Sequence, residues 1–195
     1  MIRPYRPEDL DALYDICVRT ADGGDDARGM YSSDRLMGDL FAAPYATHEP
    51  QHAYVVDDGH GRAAGYILGT ADTAAFARWY QAEWLPARPY PEPHDPRDAD
   101  MIGLHEHPER MIVPELASYP AHLHIDLLPE LQGQGWGRRL MAAFLTGLTE
   151  AGVERVHLGM ATTNTGARAF YDRLGFHEIA VAGAGPVTYL GRETT

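Results

Sequence analysis

The sequence predicts an α/β fold, and three stretches carry that prediction. Residues 122–145 read as strand, turn and helix. The apolar run 123–128 stops at Pro129, which cannot donate a ladder hydrogen bond. Gly133, Gly135 and Gly137 then alternate with larger residues, after which Leu140, Phe144, Leu145 and Leu148 recur at helical spacing over about 135–150. The chain also opens as strand then helix, and residues 53–70 read as a hairpin.

In order, residues 2–5 form a short strand, and Pro7 with Glu8 and Asp9 starts a helix that runs to about Arg19 through Leu10, Leu13, Tyr14, Ile16 and Cys17. Residues 20–29, acidic and glycine-rich, are a loop. A second helix is expected over 31–43, capped by Ser32 or Ser33. Strands at 53–56 and 63–70 are joined by Asp57-Asp58-Gly59-His60-Gly61, a turn by its chemistry. The connection over 72–120 is long for a compact domain and needs structure of its own or a binding task. Within it a helix is expected over 73–84, clustering Phe76, Trp79 and Tyr80, and a weaker one over 98–107. A strand follows at 155–160. The whole reads as one domain, with the 72–120 insertion serving as acceptor-site wall or dimer surface.

Composition excludes several classes. At 195 residues and 45% hydrophobic the chain can bury a core. One cysteine, Cys17, rules out an internal disulfide framework and points to a reducing, cytoplasmic setting. No stretch approaches the ~20 apolar residues of a membrane span, and the start lacks a secretory pattern. The net charge of −12 argues against broad contact with nucleic acid or an anionic membrane, and is compatible with an amine substrate. All sixteen basic residues are arginine.

The glycine turn is built to bind an anion. Free N–H groups at the first turn of the following helix and its dipole attract phosphate, and Arg138 and Arg139, unfavourable there for the helix, are favourable beside pyrophosphate. The spacing is neither the dinucleotide fingerprint nor the triphosphate loop. Gln132-x-x-Gly135-x-Gly137 resembles the acetyl-CoA loop of the GCN5-related N-acetyltransferase (GNAT) family. Downstream, Asn164-x-x-Ala167-x-x-x-Tyr171, ending in Leu174-Gly175-Phe176, is similar to a second signature of that family. The resemblance implies a mixed, mostly antiparallel central sheet flanked by helices, its halves parted between the strands at 123–128 and 155–160. More narrowly, residues 2–5, Gly65-Tyr66-x-x-Gly69-Thr70-x-Asp72, Phe76 and Trp84-x-Pro86 resemble the acetyltransferase-like domain at the C-terminal end of animal O-GlcNAc hydrolases. That domain lacks an intact Gln-x-x-Gly-x-Gly loop, which is present here.

The resemblance also implies a site. Backbone at Leu127 and Leu128 would pair with the pantetheine arm of acetyl-CoA. Gln132, Gly133, Gln134, Gly135, Trp136, Gly137 and Arg138 would cradle the pyrophosphate, with Asn164, Ala167 and Arg168 on the arm's other side. Tyr171, a phenol protonated at neutral pH, is the candidate acid for the leaving thiolate and contacts the donor. Asp126 or Asp72 is the candidate base, and Tyr66, Asp72, Trp84 and Asp126 the expected acceptor wall. His122 and His124 share one side of a strand, but no carboxylate or cysteine pattern completes a metal set, so no metal is expected. The implied activity is acetyl transfer from acetyl-CoA to a small-molecule or peptide amine, with a homodimer possible. The rival is a non-catalytic module that binds acyl-CoA or a protein.

Overall fold

A computed structural model describes residues 1–90 and 96–195; the part of the 72–120 insertion at 91–95 lies outside the described residues. Seven strands form one sheet: β1 (Ile2–Pro4), β2 (Ala53–Asp57), β3 (Ala63–Thr70), β4 (Ala121–Leu127), β5 (Arg155–Ala161), β6 (His177–Ile179) and β7 (Val187–Glu193). Their order is β1-β2-β3-β4-β5-β7-β6, and every neighbouring pair is antiparallel except β4 and β5. The mixed, mostly antiparallel sheet expected from the family resemblance is therefore present.

Helices cover both faces. Strand alternation sends Tyr66 and Leu68 of β3 to one face, where they pack with α1 (Leu10–Val18), α2 (Leu36–Phe41), α3 (Ala43–His48) and α4 (Thr73–Trp79). It sends Ile67, Leu123 and Ile125 to the other, against α6 (Trp136–Glu150) and α7 (Thr165–Arg173). In α6 the predicted stripe of Leu140, Phe144, Leu145 and Leu148 is buried. Among these elements α5 (Pro96–Glu106) covers the weak helix expected over 98–107.

Two helices differ from expectation for local reasons. The helix expected over 31–43 begins only at Leu36, whose N–H meets the Ser33 carbonyl, and breaks at Ala42, where φ is −131°. Pro44, without an N–H, cannot continue the ladder and instead sits in the first turn of α3. The helix expected over 73–84 is α-helical only to Trp79, then widens into a π turn at Tyr80–Trp84, closed by the Leu85 N–H on the Tyr80 carbonyl at 2.8 Å.

A carboxylate orders this part of the molecule. Asp39 accepts from Tyr14 and, at 2.5 Å, from Tyr90, while its backbone carbonyl accepts from the Trp84 indole at 2.9 Å. Trp84, expected in the acceptor wall, is thus 5% exposed and holds the insertion to α2.

The sheet edge is tied down by an ion cluster. Arg3, 9% exposed, grips Asp9 (3% exposed) through two hydrogen bonds of 2.6 and 2.8 Å and also donates to Asp57 at 2.9 Å. Burial alone would push the Asp9 carboxyl up; the Arg3 guanidinium and the Arg6 N–H outweigh it and hold it below its ordinary range. Asp9→Asn leaves a buried cation half-compensated, and should cost about 2–3 kcal/mol of stability in denaturant titrations at neutral pH. A depressed folded pKa contributes stability above about pH 4 that fades as pH falls, so parent and variant should converge in acid.

Candidate active site

The site is a consequence of one parallel pairing that stops early. β4 and β5 pair only at Ala121–Val156 and His122–His157, while β4 follows β3 as far as Leu127 and β5 follows β7 as far as Ala161. The Leu128 N–H meets the Ala64 carbonyl of β3, so alternation turns the backbone of Leu123, Ile125 and Leu127 into the opening. Unpaired strand edges recruit partners of extended shape.

Two cavities occupy this opening. One, of about 450 Å³, is lined by Thr20, Gly23, Asp126, Leu127, Gln132, Asn164, Ala167 and Tyr171 among others. The other, of about 420 Å³, lies toward the closed end and is lined by Tyr45, Arg110, Met111, Leu116, His122 and His157 among others. They share Phe41, Leu123, His124 and residues 158–161 of β5, so they meet at the splay.

The glycine turn follows Gln132, which lines the first cavity. Gly133 and Gly135 have φ of 71° and 79°, which side chains rarely adopt, and an added Cβ would meet nothing within 4 Å. They are there for conformation. Gly137 is there for contact, since a Cβ would lie 3.1 Å from the Phe170 ring of α7. Gly135 caps α6 without a side-chain acceptor. Arg138 is exposed and has no ion pair among the described residues, while the Arg139 guanidinium lies 4.3 Å from the Trp136 ring centroid. Gln134 turns back to the Glu130 carbonyl at 2.6 Å, and Gln132 donates to the Leu127 carbonyl at 3.0 Å. Leu128, at the strand's end, is buried in the core.

On the opposite wall, Asn164 caps α7: its Oδ1 accepts from the Ala167 N–H at 2.9 Å and its Nδ2 donates to the Gly23 carbonyl at 3.1 Å. The side chain expected to bind pantetheine is therefore engaged at both ends. Arg168 is engaged too, with Asp172 at 2.9 Å and Glu178 at 2.7 Å. Two helical turns from the cap's level, Tyr171 faces the cavity, and its hydroxyl has no hydrogen-bond partner among the described residues. Burial raises its pKa, helped by the charge of Asp126, so it remains a proton donor.

Asp126 lies on the cavity floor, and Tyr66, fully buried behind it, donates to its Oδ2 at 2.6 Å. Burial pushes this carboxyl up to about 6 against the opposing hydrogen bonds of Tyr66 and Thr20. Tyr66 positions the acid and does not line either cavity. Asp72, the other candidate base, is exposed, caps α4 through the Ala75 N–H at 2.9 Å, and lines neither cavity. The acids of the 20–29 loop are absent from the linings as well; Thr20, Ala21 and the glycines Gly23 and Gly24 take their place.

The histidines were legible only as a strand pair. His122 accepts or donates between Thr73 Oγ1 at 2.7 Å and the Tyr45 hydroxyl at 2.8 Å, and His124 meets the same hydroxyl at 3.1 Å. Burial lowers all three ring pKa values, that of His124 to about 4, so His122, His124 and His157 are neutral at pH 7. Among the described residues no group of three or more His, Cys, Asp or Glu could hold a metal ion, and no helix is long and apolar enough to cross a membrane. Arg110 was not anticipated, because it lies on a short 3-10 turn within the insertion, where no periodic signal marks it.

A half-open sheet, a glycine turn at a helix start and an acid and a phenol in the cleft define a group-transfer site. Residues 10–176 match the Acetyltransferase (GNAT) family, and the chain belongs to it. It is similar over its whole length to the crystal structure of SsHAT, at 56% identity and a TM-score of 0.94, covering 98% of that chain. It is 28% identical over 98% of its length to Protein O-GlcNAcase of Rattus norvegicus, but spans only 22% of that relative. At 15% identity, a phosphinothricin acetyltransferase from Sinorhizobium meliloti, in complex with AcCoA, shares the fold with a TM-score of 0.59, over 99% of this chain and 87% of that one.

Asp126 is held at a cost. A folded pKa above the unfolded value means the carboxylate destabilises the fold increasingly as pH rises through about 4 to 6. Asp126→Asn keeps an acceptor for Tyr66 and removes the charge, so it should raise stability at pH 7.5 by about 2 kcal/mol, with no gain near pH 3. Thermal unfolding at the two pH values checks this.

Proposed function

We propose that the chain transfers an acetyl group from acetyl-CoA to an amine by direct attack on the thioester. One observation carries this reading: a single groove, lined by Gln132 at the foot of the glycine turn, collects a half-buried carboxylate, Asp126, and a phenol, Tyr171, without a hydrogen-bond partner among the described residues. Acetyl-CoA supplies an activated acyl group; the amine nitrogen forms the new C–N bond as the C–S bond breaks.

The chain's residues divide that task. The N–H groups at the start of α6 and Arg138 are suited to the pyrophosphate. The open backbone edge of β4 at Ile125 and Leu127 is suited to the extended arm, once the Gln132 side chain leaves the Leu127 carbonyl. Asp126, near pKa 6, is ionised at pH 7 and takes a proton from the acceptor's ammonium, directly or through water, which frees the amine lone pair to attack. Tyr171 gives its proton to the departing thiolate.

A specific observation favours the non-catalytic alternative. The ties from Gln132 to Leu127 and from Asn164 to Gly23 occupy two groups that the arm would use. If these ties persist, the chain is a module that binds acyl-CoA weakly or a protein partner instead. Turnover separates the two: thiol release from acetyl-CoA with an amine panel supports the enzyme, and CoA binding without release supports the module.

Gly135→Glu places a side chain at a φ of 79° and a like charge in the phosphate cradle. Calorimetry should show micromolar-scale acetyl-CoA binding by the parent, about −7 to −8 kcal/mol, and none by the variant. Equal affinities would remove the loop from the site.

Tyr171→Phe keeps the ring and removes the proton, so turnover should fall by ~10²–10⁴ with acetyl-CoA affinity nearly unchanged. In the parent, kcat/KM should decline below about pH 6 as Asp126 is protonated. Equal rates in the tyrosine variant would leave water or the amine as proton source.

A further inference from the structure

The second cavity has a polarity that the chain's overall charge conceals. Among the described residues its lining contains no aspartate or glutamate; its histidines, His122, His124 and His157, are held neutral, and its single formal charge is Arg110. Arg110 lies at the exposed rim. Its Nε donates to the Leu104 carbonyl at 3.0 Å, and that bond aims the guanidinium without neutralising it. The adjacent carboxylate, Glu109, is turned to His107 at 2.8 Å, and among the described residues no acid forms an ion pair with Arg110. Its field reaches inward, adding to the forces that keep His122 and His124 uncharged.

The other walls are apolar: Leu104, Met111, Leu116 and Phe41. At the opposite end, past His124, the shared opening leads to Asp126 in the first cavity. The path therefore runs from a carboxylate, across a neutral and apolar middle, to an unpaired guanidinium. A lysine side chain is complementary only to the first of these ends, and a polycationic peptide would bring charge against Arg110 at the rim.

We propose that this cavity is the acceptor pocket, and that its acceptor is an ω-amino acid, with an ammonium and a carboxylate at opposite ends of an apolar chain, rather than a lysine-rich peptide. Its ammonium faces Asp126 and its anion faces Arg110, whose planar fork matches a carboxylate. The inference rests on the acetyl-transfer reading for the identity of the reacting end; the anion site itself stands on the cavity. About 420 Å³ suits a molecule of amino-acid size.

The test uses pairs that differ only by the carboxylate: 6-aminohexanoate against pentylamine, 8-aminooctanoate against heptylamine, and a lysine-rich peptide for comparison. Thiol release is measured with saturating acetyl-CoA, and 6-aminohexanoate and pentylamine binding by calorimetry with CoA present. The parent should favour the carboxylated member by ~10-fold or more in kcat/KM and in affinity. Arg110→Gln should collapse that ratio through KM, and Arg110→Lys should restore part of it; melting curves confirm that both variants fold. Preference for the bare amine or the peptide, or a ratio unmoved by Arg110→Gln, would overturn the proposal. Arg110-dependent binding of 6-aminohexanoate without any turnover would keep the pocket and overturn acetyl transfer. If the parent binds neither ω-amino acid and acetylates other amines, the pocket is wrong and the transfer reading stands.

Discussion

Everything at the site depends on two strands that pair for two residues and then part. A sheet normally uses every backbone N–H and C=O, and leaving a row unused near the core costs free energy unless something else bonds to it. Here β4 and β5 are each held along their length by the strand on the other side, so their separation is imposed by the whole sheet. The Gln132 side chain satisfies one of the exposed carbonyls from within the chain. The splay thus supplies an edge for an extended ligand, and it opens a passage between the sheet's two faces.

The groups placed in that passage are ones that a stable core would avoid. A carboxylate on the floor, pushed up to about 6, and three imidazoles kept neutral beside it all forgo solvation that water would have provided. Hydrogen bonds offset part of this: Tyr66 serves Asp126, and Tyr45 serves both His122 and His124. Both tyrosines are buried; Tyr66 lies behind Asp126 outside either cavity, and Tyr45 lines the second, so each holds its partners in place. The larger investment in order lies farther out, where Asp39 gathers Tyr14, Tyr90 and Trp84 and fixes the insertion on α2.

What could be read from the sequence follows from which signals are local. The strand, turn and helix around Gly135 are written in adjacent residues, because proline ends a ladder and glycine alone relaxes at a φ of 79°. The hairpin and the α6 stripe are equally local, and the family resemblance implied the mixed sheet, its parting between β4 and β5, and Tyr171 as the candidate acid. The acceptor side was not legible, because it depends on which insertion residues return to the sheet. Trp84 was expected in the acceptor wall and is a buried hydrogen-bond donor; Asp72 looked like a base at a strand's end and is a helix cap. Asn164 resembled a ligand contact, and its amide is committed to α7 and Gly23. Asx caps and ligand contacts use the same residue types, so spacing alone does not separate them.

Net charge misleads in the same way. A chain at −12 with only arginine for its cations invites a cationic partner, yet fields at a site are set by the few charges nearest to it. Several of the acids are spent elsewhere: Asp9 and Asp57 on Arg3, Asp26 on Arg28, Asp172 and Glu178 on Arg168. Those groups partly cancel locally, and exposed acids beyond a Debye length are screened by salt. Among the described residues that line the two cavities, only Asp126 and Arg110 remain as charges of fixed sign at neutral pH, one at each end of the path. The local dipole, and not the global charge, is what a molecule crossing the splay would meet.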